Sequence, residues 1–109
     1  MNEKIKVTPS SGNVFADLGL ANADELLIKA ELVRQISNLI DARDLTQIEA
    51  AKILGIDQPK VSALLNGRLS GFSTDRLFRF LNSLGSDVEI RVLPKLIPES
   101  QAQTRIVTA

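Results

Sequence analysis

Residues 50–67, AAKILGIDQPKVSALLNG, constrain the fold more than any other stretch of the chain. Ala50, Ala51 and Leu54 share one helical face, which runs into Gly55. Val61, Leu64 and Leu65 then share a second face, which runs into Asn66-Gly67. Glycine at these positions supplies the positive φ that ends a helix. The pattern therefore predicts two helices of about eight residues almost touching end to end. Helices that short are marginal in water, below the roughly 12–15 residues that even good helix formers need. They must pack on each other and on a third element, and the corner between them must be tight.

The local signals support this reading. Thr46 with Glu49 three residues later forms a capping-box pattern, and Asp57 stands where a second N-cap is needed. Pro59 lies in the first turn of the second helix, where a missing N–H costs little. Ala50 and Ala51 are small enough to let the helices cross closely, and Ile56 can plug the space beneath the turn. Two short helices joined by a turn of three or four residues containing Gly make a helix-turn-helix. That geometry projects the second helix outward, and a DNA major groove roughly 12 Å wide admits one helix.

The rest of the chain can supply the support. A helix is expected over NADELLIKAELVRQISNLIDARD, capped by Asn22 with Glu25 and ending near Arg43. Its inner stripe is Leu32, Val33, Ile36, Leu39 and Ile40. A short helical turn is expected at 13–20, with Asn13 as cap and Gly19 as stop. RLSGFS reads as a loop, and Ser73 or Thr74 caps a further helix. That helix carries Leu77, Phe78, Leu81 and Leu84 on its inner stripe and closes at Gly85. DVEIRVLP then switches to period two, with Val88, Ile90 and Val92 on one face of an expected strand ended by Pro94. The division is an arm over 1–12, a helical domain over 13–85, a strand over 86–94 and a loose tail over 95–109.

Composition narrows the function. Apolar residues make up 44% of the 109, enough for a core, and no cysteine or histidine is present. The pattern thus offers no zinc site, thiolate nucleophile or histidine base, and we expect no cofactor, no metal and no enzymatic activity. Asp24-Glu25 and Asp41…Asp44 are carboxylate pairs at helix ends, which capping and solvation explain; Gly67 and Gly71 are isolated turn glycines. No apolar run reaches membrane-spanning length and no signal-like segment opens the sequence, so a cytoplasmic location is expected. Net charge is zero but unevenly spread. Residues 1–57 hold six basic and nine acidic side chains, and 58–109 hold seven and four, so the basic half begins at the second short helix.

LTQIEAAKILGIDQPKVSALLNGR, over 45–68, resembles the helix-turn-helix of the Cro/cI-repressor family, also called the XRE family. Thr46-Gln47, Ala51, Gly55 and Asn66-Gly67 carry the match, with Ala50, Leu54, Ile56, Val61 and Leu64 at its hydrophobic positions. The resemblance implies an all-α, five-helix, lambda-repressor-like domain with the motif at 46–68. It implies phosphate contacts from Gln47, Asn66 and Arg68. Gln58, Lys60 and Ser62 are candidates for base reading, and Pro59 and Ala63 for apolar contact with thymine methyls. Ordinary solvated polarity is the competing explanation for Gln58 and Lys60, and an exposed glutamine at a helix start for Gln47. The N–H groups of 73–76 would also suit a phosphate, with Arg76 and Arg79 weaker candidates.

The flanks, NVFADLGLANADELLIKAELVRQI and FLNSLGSDVEIRVLP, are similar to HigA-type antitoxins of toxin–antitoxin operons. This implies a dimeric repressor of its own operon, bound to a palindromic double-stranded DNA operator and to a RelE-like toxin ribonuclease. The 88–92 strand would pair with its copy in a second chain, covering an edge that proteins rarely leave open. The alternatives are a module that mainly neutralises such a toxin, or a stand-alone regulator with no toxin.

Overall fold

The computed structural model describes residues 23–95 and 103–108. Four helices are present among them: α1 Ala23–Ala42, α2 Gln47–Leu54, α3 Gln58–Leu65 and α4 Thr74–Ser83. The turn expected at 13–20, the Asn22 cap and the 1–12 arm lie outside the described residues. The chain divides into two compact units, one over 29–89 and one formed by 1–28 with 90–109.

The 29–89 unit holds the helix-turn-helix. Its core collects Leu32, Val33, Ile36 and Ile40 from α1, Ala50, Ala51 and Leu54 from α2, and Val61 and Leu64 from α3. Leu77, Phe80 and Leu81 of α4 join them, with Leu84 just beyond. Ile36, Val61, Leu64 and Leu77 are fully enclosed, and each such side chain contributes roughly 1.5–3 kcal/mol of burial free energy. The helix α2 packs against both α3 and α4.

The expected stripes shift by a residue in places. Leu39, Leu65 and Phe78 are only half-buried, as is Ile56 in the turn, whereas Phe80 is buried. The loop between α3 and α4 is pinned by two apolar side chains, Leu69 and Phe72, both buried. The Phe72 ring meets Phe80 edge-on, centroids 5.9 Å apart.

Each helix end is built by a local device. The Thr46 hydroxyl accepts the Glu49 N–H at 3.1 Å, and the Glu49 carboxylate accepts the Thr46 N–H at 2.8 Å. Gly55 takes φ 74° at the end of α2, and the Ala51 carbonyl accepts both the Gly55 N–H (2.9 Å) and the Ile56 N–H (3.1 Å). Asp57 caps α3 and Ser73 caps α4. The end of α1 uses no glycine: Asp44 holds φ 55°, and the Leu45 N–H reaches back to the Ile40 carbonyl at 3.0 Å. One guanidinium N–H of Arg43 then donates to the Leu84 carbonyl at 3.3 Å, tying the end of α1 to the end of α4.

Over residues 86–94, where a strand is expected, the described chain forms none, and 86–95 run without helix or strand. Alternating apolar residues encode a face, but a strand exists only against a ladder partner, and no described segment pairs with this one. In the 1–28/90–109 unit, Ile90, Val92 and Leu93 are 73%, 94% and 73% exposed. Residues 103–108 also carry neither helix nor strand.

Candidate nucleic-acid interface

The motif's two faces separate sharply along α3. Val61 and Leu64 point inward with no exposed surface. Gln58, Pro59 and Lys60 are exposed at the opening turn, and Ser62 and Ala63 are half-exposed behind them. Asn66 and Arg68 are exposed at the exit. Gln58, Ser62 and Asn66 fall at i, i+4 spacing and so form one row along the helix, with Pro59 and Ala63 beside it. The Asn66 side-chain amide donates to the Ser62 hydroxyl at 3.4 Å, which fixes the lower half of that row.

Backbone chemistry holds this face still. The Lys60 N–H donates to the Asp57 carboxylate at 3.0 Å, so the first turn is closed by its cap. At the exit Gly67 takes φ 82°, and the Arg68 N–H returns to the Ala63 carbonyl at 2.9 Å. The Lys60 and Arg68 side chains therefore leave from defined backbone points at opposite ends of α3.

Gln47 is the first residue of α2 and is half-buried beside the Thr46 cap. It sits on a different helix from the α3 row. Val88 is half-buried, while Ile90 and Val92 are exposed in the other unit.

The two α4 arginines, equivalent in the sequence pattern, differ in space. Arg79 is paired with Asp75 at 3.2 Å, both side chains exposed. Arg76 lies over two rings, its guanidinium carbon 5.2 Å from the Phe72 centroid and 5.5 Å from that of Phe80. It also donates to the Gly71 carbonyl at 3.4 Å. An open groove of about 510 Å³ brings Arg76 together with Gln58 and Lys60 of α3 and with Ile48 and Lys52 of α2. Sequence reasoning did not single out Ile48 or Lys52. Their i, i+4 spacing was legible, but a polar-and-apolar pair on a short helix carries no signal of what it faces.

A capped helix, a glycine corner and a second capped helix with an exposed polar row define a helix-turn-helix protein. A family model described as a helix-turn-helix domain matches residues 14–93, and the chain belongs to that family. A solved structure whose name places it among XRE-family transcriptional regulators is similar at 43% identity and a TM-score of 0.77. The match covers 81% of this chain and 99% of that one. No curated protein matches.

Proposed function

We propose that the chain is a sequence-specific transcriptional regulator that binds double-stranded DNA through α3. The observation that carries this reading is the division of α3 itself. Two enclosed aliphatic residues, Val61 and Leu64, anchor it, and Gln58, Pro59 and Lys60 at its start face solvent. Gln58, Lys60 and Ser62, with Pro59 and Ala63, read bases in the major groove. Gln47, Asn66 and Arg68 hold phosphates on either side. The similarity to an XRE-family regulator supports the same class.

The finer reading is a cytoplasmic homodimeric repressor, in the manner of a HigA-type antitoxin that autoregulates its operon and binds a RelE-like toxin. The exposed Ile90, Val92 and Leu93 favour a partner for the segment after Val88. A second copy paired antiparallel across a two-fold axis would call for a palindromic operator, whose half-sites lie about 34 Å apart, one turn of DNA. The alternatives are a module devoted mainly to toxin neutralisation and a stand-alone regulator.

Selection of sites from random duplex DNA tests the reading. A two-fold symmetric motif with half-sites about one helical turn apart is expected, and Lys60→Ala should weaken binding to it. Absence of any enriched site from folded protein would remove DNA reading as the function. Ile90→Asp with Val92→Asp should yield monomers in sedimentation; an unchanged dimer would place the interface elsewhere.

A further inference from the structure

We infer that Lys52, which the helix-turn-helix pattern does not mark, joins Arg76, a weaker candidate in that pattern, to form a phosphate seat on the flank of α3. The inference rests on the DNA-binding reading above. Lys52 of α2, Lys60 of α3 and Arg76 of α4 line one open groove. Among the described residues the one carboxylate on its wall is Asp57, and that group accepts the Lys60 N–H at 3.0 Å, facing the α3 N-terminus. The groove is therefore cationic, and Gln58 and Lys60 make it continuous with the first turn of α3.

Arg76 is the pre-ordered member. Two aromatic rings and the Gly71 carbonyl hold its guanidinium, so little side-chain freedom is lost when its remaining donors meet an anion. A planar guanidinium with several free N–H groups suits a phosphodiester. Arg79, three residues on, is outside the groove and already paired with Asp75. The occupant is a backbone phosphate of the DNA whose groove admits α3, with Ile48 as the apolar wall beside it. An acidic protein segment is the competing occupant.

The test is the salt dependence of binding to the selected duplex, for wild type and for Lys52→Gln, Arg76→Met and Arg79→Met. Each lost phosphate contact should flatten the slope of log K against log salt by about 0.9. Lys52→Gln and Arg76→Met should each do so, and Arg79→Met should leave the slope unchanged. Lys52 is exposed, so its variant stays folded and keeps the test decisive if Arg76→Met perturbs the ring stack. Unchanged slopes for Lys52→Gln and folded Arg76→Met, with wild type binding normally, would overturn the seat and leave DNA binding standing; the acidic-segment occupant would follow. A wild type with no salt-dependent binding would remove both the function and the seat.

Discussion

The Asp57 carboxylate and the Lys60 backbone N–H, 3.0 Å apart, set the first turn of α3. One residue thus ends the corner and aims the helix that carries the exposed row. Removing the carboxylate leaves that N–H only the Asp57 backbone carbonyl, at 3.1 Å, in a helix of eight residues. Asp57→Ala is expected to cost about 1 kcal/mol, and Asp57→Asn, which keeps an acceptor, much less. Thermal melting should show a fall of roughly 4–8 °C for the alanine variant alone. Equal losses for both would mean that charge, rather than the cap, is what matters.

Asp44 holds φ 55° at the end of α1, a conformation that costs an L-residue steric energy. Its negative charge also sits at the end of the helix where the dipole is negative. Asp44→Gly relieves both, against some added freedom in the unfolded chain. A net gain of about 0.5 kcal/mol is expected, read as a higher denaturation midpoint at unchanged slope. A loss of stability would show that the Asp44 side chain makes a contact worth more than the strain.

Phe72 lies in a loop yet is buried, edge-on to Phe80 and beneath the Arg76 guanidinium. Its truncation opens a cavity and frees the segment that carries Arg68. Phe72→Ala should cost about 3–5 kcal/mol, a large part of the 5–15 kcal/mol typical of a whole domain. A loss under about 1 kcal/mol by urea titration would mean that the loop is not anchored by this ring.

Glu31 accepts two N–H groups from Arg34, at 2.8 and 3.2 Å, and one from Gln35 at 2.9 Å. Those bonds, the Arg34 one above all, hold its carboxyl below the ordinary 4.5, against a smaller opposing effect of burial. A lowered folded-state pKa means stability present above that ordinary value and lost as pH falls through the folded one. The pair is largely solvated, so the contribution is small. Glu31→Gln should therefore lower the melting temperature slightly at pH 7, with the difference vanishing once acid has protonated the folded-state carboxyl. A difference that persists in acid would assign it to packing.

Much of this architecture follows from rules that act over four residues. Thr46, Glu49, Asp57, Gly55 and Gly67 announce their caps because hydroxyl, carboxylate and positive φ are each needed at one fixed offset. Asp44 was harder to read, since aspartate serves equally at the start of a helix and in a turn. Leu69 and Phe72 were invisible because a six-residue loop has no periodicity to separate anchor from spacer. The 88–92 alternation encodes a face without naming what it pairs with. Arg76 and Arg79 share a helix and a charge, and only the positions of Phe72, Phe80 and Asp75 in space tell them apart. The exposed row on α3 was legible as a face, since its complement, Val61 and Leu64, had to be inside.

The Ala51 carbonyl accepts from both Gly55 and Ile56, the last two residues before the α3 cap. Helix ends usually fray one residue at a time, and a hinge at such a place would let α3 swing. Here, a single acceptor in the last turn of α2 holds two consecutive amides of the corner. Loosening it unwinds the end of one helix and the approach to the next in the same event. The two amides should exchange with solvent at one shared rate, as a single opening unit. The corner is then a stiff joint, and the angle at which α3 meets any partner is decided before the encounter.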